Sequence, residues 1–563
     1  MSAEKLHLVL CWHLHQPQYR RLDGSYARPW TWLHGIKDYT DMAAHLEAVP
    51  EAQAVVNFST VLLAQLEDYG QRIEAWRRGR AAIGDALLDA LGGRLPAAGP
   101  ARTALTRACL RAHERHMIGA FPPFARLVAE AEAALAAGAP LADDRLRDLV
   151  VWYALAWTGE SLRRTETEVR DLLAKGGGYT ADDAQHLLCV IGRSLRDIVP
   201  RYRRLAHEER VELSLTPHAH PILPLLIDTA CAREAMPGVA LPAERYPGGV
   251  QRCRWHLERA LALFERNFGF RPAGCWPSEG GVSEALLPYF DEYGFAWTAT
   301  GTNVLRNSLG GASRNAHLQH WQAARDRAGL AFFFRDDELS DRIGFEYSRW
   351  DAGHAVDDLV ARLETLRREW TEPAAPVVSI VMDGENAWEH FPYNGWYFLQ
   401  GLYARLAGHP HIGLTTFSGL LEHGMSRTEL PRLVAGSWVH GNFSVWIGDR
   451  EKNRAWELLA AAKHAVDAAL AAGEADPAWR EAVLEQLGVC EASDWFWWLG
   501  GDNRREDSAD FGGQLVAQLR GLYGLLGVEP PAELDEPLGG LSAGGAGGAM
   551  RRADAASPTN RSS

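Results

Sequence analysis

Two acidic residues follow apolar segments of the chain, and each lies close to a tryptophan. Glu279 comes three residues after Trp276 in GCWPSEGG, and Asp383 ends the apolar run of PVVSIVMDGENAWEH, in which Trp388 follows. Two carboxyl groups that face one bond can cleave a glycosidic link, one as nucleophile and the other as proton donor. Either acid alone could instead be a helix cap or a partner in a surface ion pair. The interpretation therefore depends on the other polar residues along the chain.

Further polar side chains accompany two other apolar segments. They are His13 and His15 in CWHLHQPQ, Glu212 in VELSL, and His220 in TPHAHPILPLL. Catalytic groups of parallel β/α barrels lie where the strands end and the loops begin, so we expect these residues to gather with the two acids. Taken singly, the histidines could be structural or could bind a metal ion, and Glu212 could be paired with an arginine. Their joint occurrence favours one site.

Short apolar runs that alternate with helical patterns indicate the elements that would position these residues. The predicted strands are 6–11, 54–59, 211–215, 295–300, 330–334, 377–382 and 412–416. Such alternation indicates a parallel sheet covered by helices on both faces, and the number of strands favours a barrel. The predicted class is therefore α/β, with a catalytic barrel domain over residues 1–425.

Three segments depart from this alternation. Residues 72–210 have helical spacing and predict an insertion in the barrel, in which Thr180 and Asp183 resemble a capping box. Residues 426–530 predict a C-terminal helical domain that contributes to the active-site cleft. The tail over 537–563 is rich in Gly, Ala and Ser and is predicted to be disordered.

The composition of the 563-residue chain argues against several classes of function. A formal net charge of −14 disfavours nucleic acid and anionic membrane surfaces as partners and suits a neutral ligand. The seven cysteines are scattered and form no CxxC motif, which is typical of reduced thiols in a cytoplasmic protein. The first apolar run is too short for a signal peptide, and none approaches the length of a membrane span.

Tryptophan is unusually abundant, with 21 residues. Indole rings offer large apolar faces with one polar edge, and such faces stack on sugar rings. Most of these rings should lie in the core, but four stand within or near the suspect motifs: Trp276, Trp388, Trp446 and Trp495. These four are candidate walls of a sugar-binding cleft.

The motifs, in this order, resemble those of glycoside hydrolase family 57, whose members act on α-glucans. The segments that carry the resemblance are HLHQPQ, VELSLTPHAHPILPLL, WPSEGGVS, MDGENAWEH, and VWIGDREKNRAWELL followed by SDWFWW. The pairing of WPSEG with DGENAWE is specific, whereas HQP alone would be weak. The resemblance extends over residues 6–525.

The resemblance implies roles for the matched residues. It makes Glu279 the nucleophile and Asp383 the general acid/base of a retaining double displacement. The candidate sugar-binding residues, with Trp388 included for its place after Asp383, are His13, His15, Glu212, His220, Trp276, Trp388, Trp446, Asp449, Asp494 and Trp495. The implied fold is an incomplete barrel of seven β/α units with a C-terminal helical bundle beside the active site, and the implied partner is an α-glucan. Neither a metal nor another cofactor is expected.

This chemistry sets requirements for the two acids. In a retaining pair the carboxyl groups should lie ~5–5.5 Å apart. Glu279 must be ionised, so we expect polar donors around it. Asp383 must begin protonated, with a pKa raised by the apolar run and by Trp388.

The sequence leaves several alternatives open. The segment FFFRDDELSDRIGFEYSRWD resembles the amylopullulanase-type branch, which hydrolyses α-1,4 and sometimes α-1,6 links, and hydrolysis is the expected reaction. The same carboxylates would serve a 1,4-α-glucan branching enzyme or a 4-α-glucanotransferase. A metal-dependent glycosidase or deacetylase would use the His-x-His pair, although HQP lacks the spacing of a third ligand. A non-catalytic glucan-binding relative would be expected to lose one of the acids, and both are present.

Overall fold

The computed structural model describes residues 5–311, 315–319, 321–323, 329–424, 427–472, 476–541, 545 and 548–553. The strands within these ranges are β1 (Leu6–Leu14), β2 (Ala54–Ser59), β3 (Val211–Thr216), β4 (Gly274–Cys275), β5 (Trp297–Gly301), β6 (Trp321–Ala323), β7 (Ala331–Arg335), β8 (Val377–Asp383), β9 (Ile412–Leu414) and β10 (Thr428–Leu430). Each predicted run contains a strand. The short strand β4 lies in the apolar segment expected before Glu279, whereas β6 and β10 were not predicted.

Seven of these strands close into a parallel barrel. β1 pairs with β2 and β8, and the ring continues through β3, β4, β5 and β7. β7 and β8 complete the ring through a single register pair, Arg335 with Ser379. Outside the ring, β9 pairs with β1, β6 runs antiparallel to β7, and β10 pairs with β6. The prediction of an α/β barrel of seven β/α units is confirmed, with a narrow seam between β7 and β8.

Alternate residues of each strand face the barrel interior. Val9, Val55 and Phe333 belong to an apolar cluster inside the barrel. One step closer to the carboxyl ends of the strands, the residues in register are polar: His13, Asn57, Ser214 and Asp383. The polar layer therefore lies at the end of the barrel where catalytic residues are found in this architecture.

Helices surround the barrel and fill its long connections. The first are α1 (Trp30–His34) and α2 (Thr40–Ala48), and the insertion between β2 and β3 contains α3 (Thr60–Gly79), α4 (Ala86–Leu91), α5 (Pro100–Ala108), α6 (Pro122–Ala136), α7 (Asp143–Ala156), α8 (Glu160–Thr165), α9 (Thr167–Lys175) and α10 (Ala181–His207). The later barrel connections contain α11 (Leu223–Ile227), α12 (Gly249–Phe268), α13 (Leu287–Glu292), α14 (Thr302–Ser308), α15 (Asp337–Phe345), α16 (Ala352–Glu369), α17 (Trp396–Leu406) and α18 (Phe417–Glu422). The C-terminal helices are α19 (Arg450–Ala471), α20 (Pro477–Cys490), α21 (Ser493–Trp498) and α22 (Arg505–Leu526). The capping box of Thr180 and Asp183 begins α10 as predicted. Within the described ranges, no helix is both long and apolar enough to cross a membrane.

A buried ion cluster joins the C-terminal helices to the barrel. Glu491, just after α20, lies 2.7 Å from Arg252 Nη2 and 2.7 Å from His256 Nε2, both on α12. Burial opposes ionisation of Glu491, but the charges of Arg252 and His256 outweigh it and lower its pKa to about 2. In the loop after β3, His218 Nε2 lies 2.6 Å from Glu485 of α20. The helical bundle is therefore held at the polar end of the barrel.

The described part of the C-terminal tail packs against the body of the protein. Arg454 donates to the carbonyl of Pro537 (2.7 Å), and Glu451 accepts from the backbone N–H of Leu541 (2.8 Å). Residues 548–553 pass between the barrel and α21. This differs from the disorder expected over 537–563, of which residues 542–544, 546–547 and 554–563 lie outside the described ranges.

Candidate active site

Glu279 lies in a tight turn at the carboxyl end of β4. Its backbone is left-handed (φ 58°, ψ 22°), a conformation that costs a non-glycine residue about 1–3 kcal/mol and that occurs at functional sites. Thr300 Oγ1 donates to the carbonyl of Gly280 (2.6 Å), and Val282 forms an antiparallel bridge with Gly436. These contacts fix the turn that presents Glu279.

Trp438 holds Glu279 by both its backbone and its side chain. The Trp438 backbone N–H donates to the Glu279 carbonyl (3.0 Å), and the indole Nε1 donates to Oε2 (2.9 Å). The indole stands edge-on to Trp276, with centroids 5.5 Å apart, and the Arg335 guanidinium lies 5.2 Å from its centre. A Cβ on Gly301 would lie 2.7 Å from the Trp438 Cα, so this close approach requires glycine at the end of β5. Trp438 therefore fixes one oxygen of the carboxyl group.

Asp383 is the last residue of β8 and lies beside His13 in the barrel register. Asn386 Nδ2 donates to its Oδ2 (2.8 Å). Burial raises the pKa of Asp383 and outweighs that hydrogen bond and the charges of His15 and Arg335. The environment of Asp383 therefore favours the protonated form that a general acid needs.

The charge of Asp383 acts on Glu279. Burial and then the charge of Asp383 raise the pKa of Glu279 to about 8, against the hydrogen bond from Trp438. Among the described residues, Trp438 is the side-chain donor to Glu279, so the expected set of several polar donors is not present there. Two buried carboxyl groups that repel each other favour one proton between them. The two acids therefore titrate as a pair.

A chain of hydrogen bonds determines the tautomers of His13 and His220. Asn57 Nδ2 donates to Ser214 Oγ (3.0 Å), so it is the amide oxygen that faces His13 Nδ1 (2.7 Å) and accepts. His13 Nε2 then accepts from His220 Nε2 (3.2 Å), and His220 Nδ1 accepts from the Ser493 hydroxyl (2.8 Å). Burial and the neighbouring imidazoles lower the pKa of His13 to about 3 and that of His220 well below its ordinary value. Both rings are therefore neutral at physiological pH.

His15 joins this chain to the C-terminal helices. Its ring stacks on that of His220 with centroids 3.8 Å apart. Its Nδ1 lies 2.8 Å from Ser59 Oγ, and its Nε2 donates to Asp494 Oδ1 (2.9 Å). Asp494, at the start of α21, thus reaches into the polar layer of the barrel.

The same residues include a set that could hold a metal ion. His15, His220 and Asp494 each offer a ligand atom, and these atoms lie within 4.8 Å of one another. Asp494 is remote in sequence from both histidines, which is why the spacing around HQP does not reveal a third ligand. However, both nitrogens of His220 already take part in hydrogen bonds. A metal ion bound to His220 would have to displace one of these bonds.

Several buried polar atoms around the site have no hydrogen-bond partner among the described residues. They are Oδ2 of Asp494, Oε2 of Glu385 and Nε1 of Trp276. A buried polar group without a partner costs about 1–3 kcal/mol, so such groups indicate a missing ligand or water. A polyhydroxylated molecule would satisfy donors and acceptors alike.

The match to a known family agrees with the geometry of these residues. A model of the family described as glycosyl hydrolase family 57 matches residues 9–431, which is most of the chain. The chain belongs to glycosyl hydrolase family 57. No curated protein sequence matches it.

Solved structures related to family 57 share the fold of this chain. A branching enzyme of that family from Thermococcus kodakaraensis is 16% identical, with a TM-score of 0.55 and 95% of each chain covered. The α-amylase AmyC from Thermotoga maritima is 12% identical, with a TM-score of 0.56, covering 94% of this chain and 96% of that one. A 4-α-glucanotransferase from Thermococcus litoralis is 13% identical, with a TM-score of 0.50, covering 92% and 60%. At these identities the likeness shows the fold and does not choose among the three activities.

Glu212, which the resemblance to family 57 assigned to sugar binding, lies in the floor of the barrel. It is in register with Val55, one step below the polar layer. Its carboxylate accepts from Trp297 Nε1 (2.6 Å) and from the backbone N–H and hydroxyl of Ser418 (2.9 and 2.6 Å). Ser418 lies in the first turn of α18, so Glu212 attaches that helix to the barrel interior. Glu212 therefore has a structural role and does not lie in the cleft, because it is the second residue of its strand and not the last.

Three of the four candidate tryptophans are packed behind the cleft. Trp388 contacts Trp12 on the outer face of the barrel (5.8 Å between centroids) and donates to the Gly384 carbonyl, so it does not line the cleft beside Asp383. Trp495 is buried in the helical bundle, where it donates to the Val489 carbonyl (2.7 Å). Trp446 is fully buried behind Trp497, and it is Trp497 that borders the cleft. Trp276 remains under Glu279 through its contact with Trp438.

Asp449 also differs from its assignment as a wall residue of the family 57 cleft. It caps the N-terminus of α19, where its Oδ1 accepts from the backbone N–H of Glu451 (2.7 Å). A helix cap of this kind typically stabilises a helix by about 1 kcal/mol. The geometry therefore gives Asp449 a structural role.

Four residues of the site were not predicted. Trp438 and Arg335 support Glu279 as described, and Glu385 accepts from the backbone N–H of His15 (3.4 Å). Arg551 comes from the C-terminal tail, and its charge lowers the pKa of Glu279. Arg335 directly follows the predicted strand 330–334, and Glu385 stands two residues after Asp383, so the rule used for the two acids would have found both. The sequence carries no comparable signal for Trp438 or Arg551.

Proposed function

We propose that this family 57 protein cleaves α-1,4-glucosidic bonds of α-glucans by a retaining double displacement. The observation that supports this most directly is the buried pair of Glu279, which follows β4, and Asp383, which ends β8, at the same end of the barrel, where the charge of Asp383 acts on Glu279. Glu279 is clamped by Trp438, and Asp383 favours its protonated form. The clamp positions Glu279 as a nucleophile, and the raised pKa of Asp383 suits a general acid. Because the pKa of Glu279 is itself raised to about 8, the reactive form is the one in which the proton of the pair lies on Asp383 and Glu279 is ionised.

In the first step, Glu279 attacks the anomeric carbon and forms a glycosyl ester. The bond to the leaving oxygen breaks at the same time, and Asp383 gives its proton to that oxygen. The unpaired oxygen of Asp494 is placed to accept a hydrogen bond from a sugar hydroxyl, and the hydrogen-bonded rings of His13 and His220 hold the polar layer behind it. Such bonds accelerate the reaction to the extent that they strengthen as the oxocarbenium ion forms.

In the second step, Asp383 acts as a base. It takes a proton from an acceptor hydroxyl, whose oxygen attacks the anomeric carbon and releases Glu279. With water as acceptor the reaction is hydrolysis, and we propose this as the principal outcome. Two inversions at one carbon give net retention of configuration.

Transfer to a sugar is the second candidate, and one observation favours it. Two indoles, Trp438 and Trp497, border the space beside Asp383, and such apolar walls limit the access of bulk water to the acid/base. A site that excludes water protects a reactive intermediate from hydrolysis. A branching enzyme or a 4-α-glucanotransferase would use the same two carboxyls.

Incubation with amylose, pullulan and glycogen, followed by product sizing and branch analysis, tests both candidates. Hydrolysis of amylose raises the number of reducing ends, whereas transfer does not, and new α-1,6 branches form only under branching activity. Glu279→Gln should lose activity by several orders of magnitude because the nucleophile is gone. Glu292→Gln, which removes an exposed carboxylate paired with Arg254, is the matched control and should be fully active. Near-normal activity of Glu279→Gln would refute the proposed role.

A further inference from the structure

Residues 548–553 of the C-terminal tail lie in the cleft beside the general acid. Ala549, Met550, Arg551 and Ala553 line one small cavity together with Asp383. That cavity also touches Trp438 and Trp497. Its volume of about 40 Å³ is enough for one or two water molecules and too small for a pyranose ring. The tail therefore closes the space on one side of Asp383.

The end of this segment is fixed by specific hydrogen bonds. The Ala553 N–H donates to Asp341 Oδ2 (3.0 Å), and the Ala553 carbonyl accepts from the backbone N–H of His440 (3.1 Å) and from Asn303 Nδ2 (3.4 Å). Ala553 is only 3% exposed. The other oxygen of Asp341 binds Arg335 (2.8 Å), the residue that lies over Trp438. The tail is thus bound to the same network that supports the nucleophile.

Two arginines complement the acidic cleft. The Arg551 guanidinium stacks on Trp497 (4.7 Å) and donates to the Trp497 carbonyl (3.3 Å) and to Asn503 Oδ1 (3.0 Å). It also lies 3.4 Å from Asp502, and Arg552 lies 3.5 Å from Glu346. A neutral glucan cannot form these ion pairs, so they belong to recognition of the tail itself.

We propose that residues 548–553 are an autoinhibitory strap that competes with the glucan for the catalytic cleft. The proposal rests on the proposed function, because it takes the cleft to be the sugar site. With the strap bound, the sugar cannot reach Asp383. The fixed charge of Arg551 near Glu279 also opposes the positive charge that develops on the sugar in the transition state.

Two of the contacts that hold the strap are weak enough for a ligand to displace it. Burial lowers the pKa of Arg551, which shows that its charge is held there at a cost in solvation. The ion pair of Arg552 with Glu346 is half exposed, and such pairs contribute about 0–1 kcal/mol. A glucan that binds the open cleft therefore shifts the population away from the closed form. Its apparent affinity is the affinity for the open form multiplied by the fraction of molecules that are open.

Ala553→Glu tests the strap, because it places a second carboxylate against Asp341 in a position with no free space. Ala133→Glu on α6, where Ala133 is exposed, makes the same change of charge and is the control. We expect Ala553→Glu to lower the KM for maltoheptaose about ten-fold and to leave kcat unchanged, as for a strap that closes the cleft in about nine molecules in ten. The control should have the KM and kcat of the unmodified chain. An unchanged KM, or a lower kcat, would overturn the proposal, the latter by showing that the segment completes the site.

Binding of a peptide separates the strap from the proposed reaction. The peptide acetyl-GAMRRA-amide, with the sequence of residues 548–553, should bind the Ala553→Glu variant, change its tryptophan fluorescence through Trp438 and Trp497, and be displaced by maltoheptaose. A scrambled peptide of the same composition should not bind. Equal binding of the two peptides would overturn the strap. If the protein proves inactive on every glucan while only the native peptide binds, docking of the strap is supported and the proposed reaction alone fails.

Discussion

Removal of the hydrogen bond from Trp438 to Glu279 should raise the pKa of Glu279 and shift the pH dependence of catalysis to higher pH. Trp438→Phe keeps an aromatic ring beside Trp276 and under Arg335, and it keeps the backbone bond to the Glu279 carbonyl. It removes only the indole N–H, which lies 2.9 Å from Oε2. The perturbation therefore acts on the ionised form of Glu279.

The magnitude follows from the strength of that bond. A hydrogen bond to a charged group contributes about 1.5–3 kcal/mol, and one pKa unit corresponds to about 1.4 kcal/mol. Loss of the donor destabilises the carboxylate, so the pKa of Glu279 should rise by about one to two units above its value of about 8. The nucleophile must be ionised, so activity on the acidic side should fall about 10–100-fold.

The assay is kcat/KM against pH, because this quantity reports the ionisations of the free enzyme. The acidic limb of the profile should move to higher pH in Trp438→Phe, with partial recovery of activity in alkaline solution. Trp479→Phe is the control, since Trp479 makes a similar hydrogen bond to the Leu525 carbonyl (2.8 Å) in the helical bundle. A limb that stays in place, or that moves to lower pH, would show that this hydrogen bond does not stabilise the ionised form of Glu279.

Two further predictions concern the fold and the possible metal ligands. Glu491→Gln should lower the melting temperature, because it leaves the charge of Arg252 buried without its partner, at a cost of about 3–5 kcal/mol. The pKa of Glu491 in the folded protein is lowered to about 2, below the ordinary value of about 4.3. The stability that ionised Glu491 contributes is therefore present above pH 4.3 and is lost as the pH falls toward 2. The variant should lose less stability than the unmodified chain over that window, and an equal loss in calorimetry would contradict the assignment. Activity should survive dialysis against EDTA, because the histidine–aspartate cluster serves as hydrogen-bonding groups, and a loss that zinc restores would show that a metal is required.

The elements and the position of the two acids at one end of the barrel could be predicted from local sequence because their signals are local. Apolar runs mark the strands, and a polar residue directly after such a run marks the catalytic end of a parallel barrel. Asp383 and His13 obey this rule, and Arg335 obeys it as well, although it was not singled out. Glu212 lies near the start of its run, and the same rule places it in the floor of the barrel, against the role that family resemblance suggested.

The supporting residues could not be predicted because they depend on long-range packing. Trp438 reaches Glu279 from a segment without strand or helix periodicity, and Arg551 comes from a tail whose composition indicates disorder. Abundance of tryptophan indicated sugar binding, but periodicity does not distinguish a ring in the core, such as Trp388, from one beside the nucleophile. Only the fold separates these cases.

In the proposed reaction Glu279 forms the glycosyl ester, and Asp383 protonates the leaving oxygen and then deprotonates the acceptor. Rescue by azide tests this most directly, with an aryl α-maltoside as donor and the product anomer read by NMR. Asp383→Ala should give an α-glycosyl azide, because azide displaces Glu279 from a β-linked intermediate, whereas Glu279→Ala should give a β-glycosyl azide by one direct inversion. A β-glycosyl azide from Asp383→Ala, or an α-glycosyl azide from Glu279→Ala, would contradict the assignment of the two roles.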